Sequence, residues 1–127
     1  MSRFPKRFNK VINERSTADF FAVLKDPLGN LITLSDVDSI EATFFDTASG
    51  AIVNNRNSQN MLNANHATLD EFALFRWTLQ PEDTTILDQQ SSYETHRAEF
   101  VVLYNSGGGR LVFDVDFVIR NLVKEGT

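Results

Sequence analysis

The sequence predicts an all-β protein: an Ig-like antiparallel β-sandwich of about 7–8 strands that follows an extended N-terminal arm. Apolar and polar residues alternate with a period of two in several segments, as they do in strands that bury one face. Turn residues recur roughly every 8–12 positions, and helical periodicity is weak throughout. A long polar connection at residues 54–65 favours a sandwich over a small barrel, because a Greek key needs such a crossing.

Seven segments are predicted to be strands, in chain order residues 18–25, 31–34, 39–46, 51–53, 69–79, 93–104 and 110–119. The first of them ends in a turn where Pro27 suits the second turn position and Gly29 tolerates positive φ. Further along, Trp77 shares a strand face with Phe75 and Leu79. We therefore expect the single tryptophan in the core.

The second half of the domain contains the strongest local patterns. Residues 80–84 are predicted to form one short helical turn, because Pro81 lies near its start and Glu82 and Asp83 place negative charge in its first turn. The last two strands alternate over their whole length, and the glycine-rich loop at residues 105–109 permits the positive φ angles of a hairpin turn.

Charge divides the chain into a basic arm and an acidic body. Residues 1–15 contain five basic residues against Glu14 alone, a net of +4, so the overall charge of −5 leaves −9 on the remainder. We expect an arm at residues 1–17, a sandwich domain at residues 18–123 and a short tail at residues 124–127. Cations interleaved with apolar side chains favour a protein groove over phosphate as the arm's partner. The predicted contact residues are Arg3, Phe4, Arg7, Phe8, Lys10, Val11 and Ile12.

The chemistry-bearing residues do not form a reactive set. The absence of cysteine excludes disulfides, thiolate nucleophiles and cysteine-ligated zinc. His66 and His96 match neither a zinc spacing nor a catalytic triad, and both are expected at the surface. Asp114 and Asp116 are expected to form a solvent-facing stripe that discourages edge pairing between sheets. We therefore expect no catalytic residues, no metal site, no cofactor and no enzymatic activity.

Hydropathy gives an expectation about location. No stretch approaches the roughly 20 apolar residues that a membrane helix needs. The basic N-terminus is not followed by an apolar segment, so it is not expected to be a signal peptide. The protein is therefore expected to be made in the cytoplasm and to have no membrane partner. Nucleic acid is expected to bind weakly through the arm, if at all, because the body is acidic.

Several motifs together resemble small Ig-like domains of tailed-bacteriophage virions, including the N-terminal domain of phage upper baseplate proteins. The matching segments are Asp26-Pro27-Leu28-Gly29-Asn30 with Leu31-Ile32-Thr33-Leu34, the strand at residues 39–46, Arg97-Ala98-Glu99-Phe100, and Gly107-Gly108-Gly109-Arg110. The resemblance covers about residues 18–120. It implies a virion structural protein, made in the host cytoplasm, whose partners are capsid, portal, connector or tail subunits.

Two functional interpretations remain open at this point. In the first, the chain is a non-enzymatic virion assembly protein at the head surface, neck (head–tail connection) or tail, and it docks on a larger oligomer through its arm; it could itself be a homo-oligomer. In the second, it is a carbohydrate-binding or adhesion module. That second interpretation needs exposed aromatic side chains grouped on one sheet face, and the candidates are Phe45, Trp77 and Tyr93.

Overall fold

A hairpin of two twelve-residue strands forms the centre of the larger of two sheets in the computed structural model, which describes residues 6–125. The strands of that part of the chain are β1 Lys6–Arg7, β2 Ile12–Asn13, β3 Ala18–Val23, β4 Val37–Asp46, β5 Gln59–Asn60, β6 Ala67–Leu69, β7 Leu74–Leu79, β8 Tyr93–Tyr104 and β9 Gly109–Arg120. Short 3₁₀ turns cover Leu34–Asp36 and Pro81–Thr84, and α1 covers Leu122–Glu125.

The strands form two layers. The larger sheet has the order β1-β9-β8-β4-β5, with β2 also paired to β9, and the smaller has the order β3-β7-β6. The predicted all-β sandwich is therefore confirmed. Pairing is antiparallel everywhere except at β1 and β2, which run parallel to β9. No helix among residues 6–125 is long and apolar enough to cross a membrane.

Aromatic side chains fill the space between the sheets. The fully buried members are Phe44, Phe75, Trp77, Phe100 and Phe117. Their rings meet mostly edge to face, with centroids 5.3 to 5.9 Å apart, a geometry that the ring quadrupoles favour. Each buried ring contributes about 1.5–3 kcal/mol through the hydrophobic effect. The core position expected for the tryptophan is confirmed.

Several predicted strands are shorter in the structure, and the predicted strand at residues 51–53 contributes only a bridge between Ile52 and Phe45. The segment 69–79 is divided into β6 and β7 by a turn in which the Asp70 carboxylate accepts hydrogen bonds from the N–H groups of Phe72 and Leu74. The segment 31–34 contributes only a bridge between Leu31 and Lys25 before the 3₁₀ turn begins. The final hairpin and the helical turn at Pro81–Thr84 are confirmed.

Candidate functional site

The described part of the N-terminal arm lies along the outer edge of the larger sheet. Lys6 is in register with Val115, and Ile12 is in register with Ile119. Between these points the Phe8 N–H donates a hydrogen bond to the Asp116 carbonyl over 2.9 Å. The arm therefore satisfies an edge of β9 that would otherwise be open to another chain.

Side chains of the arm divide between the core and the solvent. The Phe8 ring packs 5.3 Å from the Phe117 ring, and Ile12 is only 5% exposed. The basic and apolar arm side chains that are exposed include Lys6, Arg7, Lys10 and Val11. Ile12 thus belongs to the protein's own core, whereas Arg7, Lys10 and Val11 are free to contact a partner. The other two predicted contact residues, Arg3 and Phe4, lie outside the described residues.

A groove separates the arm from β3, which is the edge strand of the smaller sheet. Its volume is about 440 Å³, and its lining includes Lys6, Arg7, Lys10, Asp19 and Phe21. Three cations against one carboxylate make the groove basic. The Asp19 carboxylate is already engaged, because hydrogen bonds from the Thr78 hydroxyl and then from Arg76 lower its pKa.

The outer face of the smaller sheet exposes several apolar side chains near this groove. Phe21 is 54% exposed and Val23 51% exposed, and Val23 is in register with the exposed Leu74. Phe72 projects from the adjoining turn with 79% of its surface exposed. In residues 18–25, apolar side chains occur at both odd and even positions, so both faces of the strand carry them. This pattern could have predicted an exposed apolar face, but it was not used in the sequence analysis. We call Phe21, Val23, Phe72 and Leu74 the apolar face.

Two expectations about polar residues were wrong. Asp114 is 5% exposed rather than solvent-facing, and Asp116 is bound by the Arg97 guanidinium through contacts of 2.7 and 3.1 Å. This hydrogen bond raises the pKa of Arg97. The physical reason is that the arm covers β9, so β9 is an interior strand and has no free edge for an acidic stripe to protect.

His96 was also expected at the surface, but its side chain is fully buried. Its Nε2 lies 2.9 Å from Glu94 Oε1, and its ring packs edge-on against Phe44. It is in register with Asp46, the last residue of β4. Asp46 and Glu94 are buried as well, so three ionisable groups meet at one end of the core. His66 lies in an exposed loop, as expected.

The three aromatic residues expected to serve a carbohydrate site are not grouped. Trp77 is fully buried, which removes it from the surface. Phe45 is in register with Arg97, and Tyr93 precedes Arg97 by four residues on the same strand. The two remaining rings are therefore separated by roughly 13 Å along β8.

Comparison of the chain with protein-family models, curated proteins and solved structures finds no match.

Proposed function

We propose that the chain is a non-enzymatic structural or assembly protein of a tailed-bacteriophage virion that docks on a larger oligomer through its N-terminal arm. The proposed partners are capsid, portal, connector or tail subunits, and the proposed location is the virion, after synthesis in the host cytoplasm. The observation that carries the proposal is the basic edge of the arm, with exposed Arg7 and Lys10, beside the apolar face.

The apolar face supports docking because it exposes four large apolar side chains, two of which, Val23 and Leu74, are paired across β3 and β7. Such groups on soluble domains mark interaction sites, and they are commonly rimmed by polar and charged residues. Here the rim is provided by Arg76, whose guanidinium lies 5.7 Å from the Phe21 ring, and by the arm cations across the groove. Burying Phe21 against a partner would contribute about 1 kcal/mol or more.

Charge supports an acidic partner surface. The cations of the arm lie on one edge of a chain whose remaining residues are strongly acidic. This asymmetry orients the chain during encounter, because a partner with negative potential attracts the arm edge and repels the rest of the body. The same asymmetry predicts binding that weakens as ionic strength rises.

A non-catalytic role is supported by the side chains that could act as a nucleophile or as a general base. Cysteine is absent from the sequence. The His96 ring is fully buried against Glu94 and Phe44, so the imidazole is not exposed at the surface. Resemblance of the turn motifs to virion domains supports the class of particle, and the surface geometry supports the manner of docking.

The proposal is tested first in purified virions and then by charge reversal. Mass spectrometry of purified particles should find the protein at stoichiometric level. The combined variant Lys6→Glu, Arg7→Glu and Lys10→Glu should reduce incorporation at least tenfold, because its arm edge repels an acidic surface. Truncation is a poorer test, since it would also remove β1, β2 and the buried Ile12.

A matched control is Arg110→Glu, which reverses an exposed charge that has no hydrogen bond or ion pair among residues 6–125. It should incorporate normally. Phe21→Ser tests the apolar face, and Leu28→Ser, which alters an 87% exposed leucine in a loop, is its control. Absence from purified particles would refute the virion role. Normal incorporation of the arm variant would refute docking through the arm but would leave the virion role standing.

A further inference from the structure

The buried cluster of Asp46, Glu94 and His96 has the composition of a metal site. Asp46 and His96 face each other across β4 and β8, and Glu94 lies on the same face of β8 two residues earlier. Their exposed fractions are 4% for Asp46, 6% for Glu94 and 0% for His96. One potential ligand atom of each lies within 4.8 Å of the other two.

Hydrogen bonds from surrounding groups hold both carboxylates in place. Glu94 accepts bonds from the N–H groups of Leu87 at 2.9 Å and Asp88 at 2.6 Å. Asp46 Oδ2 accepts bonds from the N–H and the hydroxyl of Ser49 at 3.1 and 2.7 Å. Metal ligands in proteins are oriented by outer hydrogen bonds of this kind.

In the described part of the chain, no lysine or arginine balances the two carboxylates of the cluster. Among residues 6–125, no lysine or arginine pairs with Asp46 or Glu94, and His96 is their one basic neighbour. The Nδ1 atom of His96 is buried and has no hydrogen-bond partner. Two buried carboxylates beside an incompletely bonded imidazole are costly unless a cation compensates them.

A cavity of about 580 Å³ reaches the cluster from the surface. Its lining includes both carboxylate residues together with Ser49, Ser91 and Tyr93. The cavity borders the two carboxylate residues and has room for water molecules as additional ligands, whereas His96 is fully buried and does not line it. A metal site that opens to solvent can take water as a ligand, whereas a closed structural site takes all four of its ligands from the protein.

We propose that Asp46, Glu94 and His96 bind one divalent transition-metal ion, such as Zn²⁺, with water from the cavity completing the coordination. One imidazole nitrogen and two carboxylate oxygens suit Zn²⁺ better than Ca²⁺ or Mg²⁺, which prefer oxygen ligands alone. Metal–donor bonds of about 2.0–2.2 Å require donors no more than about 4.4 Å apart, so the cluster needs only a small inward movement. This site is independent of the docking function.

The first test uses the wild-type chain, freed of metal with a chelator and titrated with ZnCl₂ in a calorimeter. One equivalent should bind, and an ion concentration of 100 times Kd should raise Tm by roughly 10 °C. Imidazole ¹H–¹⁵N spectra of the same sample should show shifts at His96 and none at His66. This readout needs no variant and therefore does not depend on whether a variant folds.

The second test compares the two histidines by substitution. His96→Gln and Asp46→Asn should each weaken Zn²⁺ binding at least thirtyfold, whereas the matched control His66→Gln should bind as the wild type does. The absence of saturable binding, imidazole shifts at His66 alone, or wild-type affinity in both cluster variants would overturn the proposal. Preferential binding of Ca²⁺ or Mg²⁺ over Zn²⁺ would overturn the assignment of the ion class.

Discussion

Two clusters of buried ionisable side chains in the described part of the chain are built differently. Arg56 and Asp83 form a two-point pair, with Nε–Oδ1 at 2.5 Å and Nη2–Oδ2 at 3.0 Å. Arg56 also donates to Gln59 and lies 5.4 Å from the Trp77 ring. By contrast, the Asp46, Glu94 and His96 cluster has two carboxylates and no guanidinium or ammonium among the described residues.

The contrast separates a structural role from a binding role. The Arg56–Asp83 pair is neutral and closed, and it ties the long loop after β4 to the 3₁₀ turn after β7. Every oxygen of Asp83 has a donor, including the Gln80 N–H and the Asn54 side chain. The second cluster combines two carboxylate residues with one histidine and no lysine or arginine, and its carboxylate residues line a cavity. The paired charges of Arg56 and Asp83 stabilise the fold. The two carboxylates of Asp46 and Glu94, which have no lysine or arginine partner among residues 6–125, could instead bind a cation.

The largest effect is expected from breaking the closed pair. Asp83→Asn leaves the volume unchanged but removes the counter-ion of a guanidinium that is 4% exposed. Loss of one partner from a buried pair costs about 3–5 kcal/mol, because the remaining charge is desolvated and unpaired. Urea denaturation at pH 7 measures this free energy of unfolding. A loss below about 1 kcal/mol would show that the pair does not hold the loop.

A smaller effect is expected from Asp46→Asn in the metal-free protein. This substitution is the same as the one at Asp83, but it removes a carboxylate from a cluster that contains two carboxylates and no lysine or arginine. Weakened hydrogen bonds to Ser49 should cost at most about 1.5 kcal/mol, and reduced repulsion from Glu94 offsets part of that cost. The same denaturation experiment, run with chelator present, measures it. Destabilisation equal to that of Asp83→Asn would erase the distinction between the two clusters.

The smallest effect is expected at an exposed pair of the same chemistry. Arg76 contacts Asp19 at 3.2 Å, but their side chains are 51% and 40% exposed. Asp19→Asn should cost at most about 0.5 kcal/mol at pH 7, because solvent screens the pair. Comparison with Asp83→Asn therefore isolates the contribution of burial.

The pH dependence of that exposed pair has a defined sign. The Thr78 and Arg76 hydrogen bonds lower the Asp19 pKa in the folded state, so its stabilisation is present above the unfolded value of about 3.9 and is lost as pH falls through the folded pKa. Wild type and Asp19→Asn should therefore converge in stability as pH falls below the lowered folded-state pKa of Asp19. Glu41→Gln, at an exposed carboxylate without a hydrogen bond among residues 6–125, is the control. A difference between wild type and Asp19→Asn that grows at low pH would contradict this account.

Sequence reasoning predicted the elements that depend on local pattern. Alternation over residues 93–104 and 110–119 predicted the hairpin, and Pro81 predicted the short turn that follows β7. The burial of His96 could also have been predicted from the sequence. The face that carries Ala98 and Phe100 continues two positions back to His96 and two more to Glu94. Histidine was assigned to the surface by residue type, although the strand pattern indicated the core.

The sequence by itself determined the period of the strands, the turns and the charge asymmetry, because each depends on residues that are close along the chain. Only the tertiary structure decided that the arm pairs with β9, that Arg56 meets Asp83, and that Asp46 faces His96. These contacts join residues 27 to about 107 positions apart. Local patterns do not encode them, because strand order and register follow from how the two sheets pack together.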